Sequence, residues 1–390
     1  MTFIPQADDM IPYLVVAFAF AALIALALTP SVRRWAIRLD AVDRPGHRRV
    51  NTSPIPRGGG VAVAAAFILV TLGLLAANAA FDFVDVPFTV RIGDLVALLA
   101  GGALAAAFGV IDDYFDLRAR WQFLFQLILA ALAIWLGYQV DFINNPFGSG
   151  IIFLDGPFGI GFTVLWIAGM INSINFIDGL DGLSSGIGLI AVTTLGLISL
   201  STQVGQPFVA ILCFALGGAL LGFLRWNFHP ASIFVGTSGV MFLGYVLALL
   251  SILGTAKVAV ALLVLGVPII DAFWIIVRRL VQGRSPFSPD RGHLHHRLLD
   301  LGLSHRQTVV LIYGICLALS ILAMLLTGVT QLYAFAGVFV AIGFVLFILA
   351  HGGFNPDDAG TDAPRAVPAV SRSAGEGVVP RGVHEDPGAP

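Results

Sequence analysis

Apolar runs of near-membrane length recur along the whole chain, at roughly 11–29, 60–79, 93–110, 122–139, 159–176, 185–201, 207–224, 237–254, 256–277, 307–326 and 331–350. A spanning helix needs about 20 predominantly apolar residues. The pattern therefore predicts an all-α integral membrane protein, a polytopic bundle of about eleven transmembrane helices. Polar, turn-rich segments separate the runs. In 141–158 the strings N-N-P-F-G-S-G and D-G-P-F-G predict a hairpin lying on the outer surface. Beyond 350 the periodicity gives way to Pro, Gly, Ala and scattered charge. The chain thus divides into a transmembrane domain, 1–350, and a disordered cytoplasmic tail, 351–390.

Composition agrees: 58% of residues are hydrophobic, 11% are charged, and mean hydropathy is +0.92. Soluble domains are about 25% charged, which excludes an ordinary soluble enzyme. The distribution of charge says more than the net −2. If the N-terminus is outside, 19 of the 21 Lys and Arg residues fall on one face, leaving only Arg91 and Lys257 opposite. That asymmetry marks the charged face as cytoplasmic in a multi-pass protein of a bacterial-type plasma membrane. The first run follows Asp8 and Asp9 and precedes Arg33, Arg34 and Arg38, so it reads as an anchor rather than a cleavable signal. Cys213 and Cys316 lie in separate apolar runs and form neither a disulfide framework nor a C-x-x-C site.

Every unusual polar motif falls on the charged face. Most prominent is 172–186, N-S-I-N-F-I-D-G-L-D-G-L-S-S-G, between two apolar runs. Asn172, Asn175, Asp178 and Asp181 recur at a spacing of three, roughly one face of a helix, and Gly179 and Gly182 let the backbone break and wrap. Carboxylates beside a bilayer cost a few kcal/mol unless they line a cavity or meet a cation. Asp112 and Asp113, followed by Asp116, close the third run and suit cation binding or proton transfer. The first loop holds Arg48, Arg49 and Arg57 and then Gly58, Gly59 and Gly60, which open a helix whose free N–H groups suit an anion. Gly236, Thr237, Ser238 and Gly239 suit a helix cap that also cradles an anion. The last large loop interleaves His293, His295 and His296 with Arg291 and Arg297. It fits phosphate, sugar or base recognition better than zinc. Asp271 lies near, to pair with Arg278 or line the cavity.

Together these stretches resemble the polyprenyl-phosphate N-acetylhexosamine-1-phosphate transferase family. This group is glycosyltransferase family 4-like, and the similarity is to its undecaprenyl-phosphate N-acetylglucosamine-1-phosphate transferase branch. The most specific signals are N-x-x-N-F-I-D-G-L-D-G-L and H-L-H-H followed by S-H-R-Q-T, and the likeness runs from residue 43 to about 310. It implies transfer of a sugar-1-phosphate, N-acetylglucosamine-1-phosphate above all, from a UDP-sugar to undecaprenyl phosphate at the cytoplasmic face. UMP is released, and the product feeds cell-wall or surface glycan synthesis. The implied cofactor is Mg²⁺, with Mn²⁺ as a substitute. The implied partners are the UDP-sugar, the polyprenyl phosphate, the bilayer and a second copy of the chain, with no nucleic acid. By resemblance, Asp112 deprotonates or orients the lipid phosphate, or acts as nucleophile, with Asp113 beside it. Asn175 is a metal-proximal amide, and Asn172, Asp178 and Asp181 line the nucleotide pocket. Arg48, Arg57, Arg291, His293, His295 and His296 face the donor's phosphates and sugar.

The chain departs from the family pattern in three of its motifs. Thr237 stands where the family's G-D-[ST]-G motif carries a magnesium-ligand Asp. Arg49 and Asn51 replace a Lys and a His. The Lys usual after the paired Asp is absent, with Arg120 and Gln122 nearby. A hydroxyl is a weaker ligand for a hard cation. The alternative reading is thus a non-catalytic relative that still binds a UDP-sugar or lipid phosphate.

Overall fold

The computed structural model describes residues 3–4, 7–44, 53–82, 90–145, 148, 150–253, 258–285 and 292–351. The tail expected at 351–390 lies almost wholly outside them. The described residues are overwhelmingly helical, with two small antiparallel hairpins.

Among the described residues, seven helices are long and apolar enough to cross a membrane. An eighth span arises if Val258–Val264 and Gly266–Val281, bent by 80° across Leu265, count as one. Each of the eleven expected runs forms helix over most of its described residues, yet eleven spans are not established. The runs at 122–139, 185–201 and 237–254 form Ala119–Trp135, Leu183–Ser199 and Gly236–Ile252, each of 17 residues. At 1.5 Å per residue such a helix is roughly 26 Å long, short of a hydrocarbon core of about 30 Å. Each begins slightly before its expected run and stops short of the run's end, at Trp135, Ser199 and Ile252.

Packing explains the arrangement. Gly236–Ile252 is central, buried without interruption from Ser238 to Ser251, so its apolar surface meets protein rather than lipid. The first helix, Ala7–Arg38, buries Ala17, Ala21 and Ala25 completely, one small residue per turn. That stripe meets Pro207–Asn227, where a Cβ on Gly218 or Gly222 would lie 2.0 or 2.1 Å from the Phe18 or Ala22 carbonyl oxygen. Small residues let helix backbones approach closely, as they do in membranes. Around the outside, Leu23, Leu69, Leu165, Leu325 and Phe344 are exposed, a belt suited to lipid.

The hairpin expected in 141–158 forms from Phe142–Asn144 and Ile151–Phe153, with Ile143 opposite Ile152. It follows the end of Ala119–Trp135 remote from the polar motifs. The second hairpin, Val42–Asp43 with Ile55–Pro56, ties the first loop together at the motif end.

Candidate active site

The helix through Ile92–Phe115 delivers Asp112 and Asp113 at its last turn, and Asp116 ends it with a left-handed φ of 51°. Both carboxylates are buried. Asp113 faces the start of Gly236–Ile252, which has no side-chain cap of its own. Its Oδ1 accepts the Thr237 N–H at 2.7 Å and its Oδ2 accepts the Ser238 N–H at 3.1 Å. An acid distant in sequence thus satisfies donors that a helix start leaves open, and its charge suits the helix dipole. Gly236 makes the approach feasible: its φ is +71°, and a Cβ there would lie 2.6 Å from Asp113 Oδ2. The anion expected at this helix start is therefore a side chain of the protein. Asp112 is held on both sides, accepting the Thr237 hydroxyl at 2.6 Å and the Gln122 amide at 2.9 Å.

In the first loop, Arg57 Nε donates to Asp43 Oδ1 at 2.9 Å, and its guanidinium lies 3.6 Å from Asp116. Of the glycines that follow, Gly59 and Gly60 are not open to an anion. The Gly59 and Gly60 N–H groups donate to the carbonyls of Phe234 and Val235, each at 2.9 Å, while the Phe234 N–H donates to Pro56. This backbone zipper joins the first loop to the start of the central helix. Arg48, Arg49 and Asn51 lie outside the described residues.

The spacing-of-three series begins on Pro157–Ile177 and leaves it halfway. Asn172 and Asn175 lie on the helix, Asp178 is its C-cap, and Asp181 is in the glycine turn that follows. The Asn172 amide donates to Gln126 Oε1 at 2.6 Å and to the Ala168 carbonyl at 2.8 Å, so it braces two helices. Asp178 accepts the Ser184 hydroxyl. Burial, with added repulsion from Asp113 and Asp181, pushes its carboxyl up to about 7, against the pull of Ser184. Asp181 Oδ2 meets His229 Nδ1 at 2.7 Å and accepts the Ala231 N–H at 3.0 Å.

Asp271, fully buried, organises the histidine loop. Its Oδ2 meets His293 Nδ1 at 2.7 Å and its Oδ1 accepts the Leu294 N–H at 2.8 Å, where the short Leu294–Asp300 helix begins. The acid expected to pair with Arg278 or line the cavity is thus the anchor of His293. His295 stacks on His293 with ring centroids 5.5 Å apart and lies 4.3 Å from His296. Its ring presses on Gly179, where a Cβ would lie 2.1 Å from Nε2. Neither His295 ring nitrogen has a hydrogen-bond partner among the described residues. Burial, and the charges His296 and His293 would carry, hold its pKa well below the usual imidazole value, so it is neutral. Arg291 lies outside the described residues.

These segments enclose a cavity of about 310 Å³ lined by Asp43, Arg57, Asp113, Asn175, Asp178, Asp181, Thr237 and His296. Asp112 joins it through Thr237, and His293 joins it through its neighbouring histidines. Asn172, His293 and His295 are not among the lining residues. Four lining carboxylates, one of them Arg57's partner Asp43, share the wall with Arg57, the only arginine or lysine among its described residues. Oxygen donors with excess negative charge suit a hard divalent cation, and Asn175 adds a neutral amide oxygen. Thr237 fits less well as a ligand, because its hydroxyl proton is committed to Asp112. Sequence reasoning named Gln122 only as a neighbour of the missing Lys, not as a partner of Asp112, and missed Gln126 and His229. A glutamine inside an apolar run is the signal that would have found both amides; His229 had none.

Residues 95–255 match the family described as glycosyl transferase family 4. A Bacillus subtilis protein named as a probable undecaprenyl-phosphate N-acetylglucosaminyl 1-phosphate transferase is 37% identical over 347 residues, covering 87% of this chain and 92% of its own. A decaprenyl-phosphate N-acetylglucosaminephosphotransferase of Mycobacterium leprae is 36% identical, covering 75% and 78%. An undecaprenyl-phosphate alpha-N-acetylglucosaminyl 1-phosphate transferase of Escherichia coli is 30% identical, covering 82% and 83%.

Proposed function

The chain belongs to glycosyl transferase family 4, and on that premise we propose that it transfers N-acetylglucosamine-1-phosphate from a UDP-sugar to undecaprenyl phosphate. One observation carries the reading for these residues: polar groups from five separate segments of a membrane-embedded bundle converge on a single acidic cavity. A lipid-borne acceptor and a soluble nucleotide donor can meet only where a bilayer protein opens to water. The relatives' names do not favour the non-catalytic alternative.

In the proposed reaction an oxygen of the lipid phosphate attacks the sugar-bearing phosphorus, and the bond from that phosphorus to the bridging oxygen breaks, releasing UMP. Phosphoryl transfer depends chiefly on positioning and charge stabilisation. Asp112, clamped by Thr237 and Gln122, is placed to orient the acceptor or take its proton. Arg57, locked to Asp43, presents a cation toward the phosphates. Asn175 and Asp178, with Asp113 behind them, would hold Mg²⁺, which when bound neutralises the donor diphosphate. His296, backed by the neutral His295 and the anchored His293, supplies a hydrogen-bonding edge for the sugar or uracil.

The lysine and arginine asymmetry supports a cytoplasmic cavity with the N-terminus outside. It also supports reading the three 17-residue helices as crossings, giving eleven spans. Purified protein supplied with UDP-N-acetylglucosamine, undecaprenyl phosphate and Mg²⁺ should release UMP. No UMP from any UDP-sugar would sink the proposal.

A further inference from the structure

We infer that Asp181, His229 and His305 form a binding site for a borderline-soft divalent cation, Zn²⁺ foremost, which shares Asp181 with the cavity wall but is distinct from the hard-cation position at Asn175 and Asp178. The three side chains come from three segments: the glycine turn, the loop after Pro207–Asn227, and the first residue of His305–Leu325. One ligand atom from each lies within 4.8 Å of the other two. Among the described residues this is the only such His, Cys, Asp and Glu group, and His293, His295 and His296 do not make one.

Three further features point to a ligand rather than to packing alone. The imidazoles of His229 and His305 stack with centroids 4.1 Å apart and planes 21° apart. The stack holds both imidazoles beside the same carboxylate, so their ligand atoms can close on one ion once the rings open from each other. His305 Nε2 is buried and has no hydrogen-bond partner among the described residues. A buried polar nitrogen left unmet is costly. The surroundings are also braced. Asp181 Oδ2 receives the Ala231 N–H at 3.0 Å, Arg306 donates to the His229 carbonyl at 3.2 Å, and Ser304 and Gln307 form a capping box that fixes the backbone at His305. Hydrogen bonds that orient ligating groups in this way are characteristic of metal sites.

Two imidazoles and one carboxylate match zinc chemistry, while Mg²⁺ prefers oxygen donors alone. Three protein ligands leave a fourth position for water or a substrate oxygen.

The test uses the full chain in detergent, without a histidine tag, stripped with EDTA and titrated with Zn²⁺ in excess Mg²⁺. Metal retained after desalting and the rise in Tm on Zn²⁺ addition are both read. About one Zn²⁺ per chain is expected. His229→Gln and His305→Gln should each weaken binding by at least about tenfold and abolish the Tm rise, while His296→Gln keeps both. The inference is overturned if no Zn²⁺ is retained or if both variants bind as the parent does. An equal loss in His296→Gln overturns it too, since the metal would then sit in the histidine loop. If one variant does not fold, the other gives the same readout. Neither measurement depends on turnover.

Discussion

Thr237 gives its hydroxyl to Asp112 Oδ2 at 2.6 Å and its backbone N–H to the neighbouring Asp113 at 2.7 Å. One residue thereby fixes both members of the acid pair. A hydrogen bond to an ionised group contributes about 1.5–3 kcal/mol. Thr237→Val keeps the shape and the backbone bond but deletes the donor, so UMP release should fall roughly ten- to a hundredfold. Asp112→Asn, which keeps an acceptor for Thr237 but loses the charge, should fall by about two to four orders of magnitude. Equal rates for Thr237→Val and the parent would show that the hydroxyl does not position Asp112.

Thr237→Asp tests the metal side of the same residue. A carboxylate there restores the ligand type expected at this position but meets Asp112 at hydrogen-bond range, so it needs a cation between them. Turnover at saturating Mg²⁺ should equal or exceed the parent's, and Tm in EDTA should drop. Loss of activity at every Mg²⁺ concentration would contradict this account of the acid pair.

Much of this was legible in the sequence. The eleven apolar runs are helical over most of their described residues because burial in lipid or protein asks for the same composition. The convergence of Asp113, Asn175, Asp178, Asp181 and His296 followed from the placement of their motifs at run ends. Two kinds of fact were not legible. Whether a 17-residue apolar helix spans or is enclosed depends on its neighbours, and the burial of Gly236–Ile252 is a property of the bundle. Glycine-rich helix starts looked like open anion sites, but their N–H groups are spent on Asp113, Phe234 and Val235. Such pairings join residues more than a hundred positions apart and leave no local pattern.

Asp271 holds the histidine loop from below. Asp271→Ala would leave the Leu294 N–H and His293 Nδ1 without their acceptor, each a buried group whose desolvation costs about 1–3 kcal/mol. Detergent-solubilised protein should show a lower Tm, and KM for the UDP-sugar should rise more than kcat falls. A change in kcat alone would place His293 in the chemical step instead of in donor binding.

Asp178 makes stability depend on pH in a direction opposite to that of most paired acids. Its folded-state pKa is about 7, above the ordinary 3.8, so the folded chain holds a proton that the unfolded chain has released. The contribution of the protonated group is fully present below about pH 4 and is lost as pH rises to about 7. In EDTA, Tm should therefore fall across that interval. Asp178→Asn, which keeps an acceptor for Ser184 and cannot ionise, should flatten the fall. A divalent cation favours the charged carboxylate, so Mg²⁺ should recover Tm near pH 7 in the parent and have less effect in the variant. Matching pH curves for the two proteins in EDTA would remove Asp178 as the titrating group.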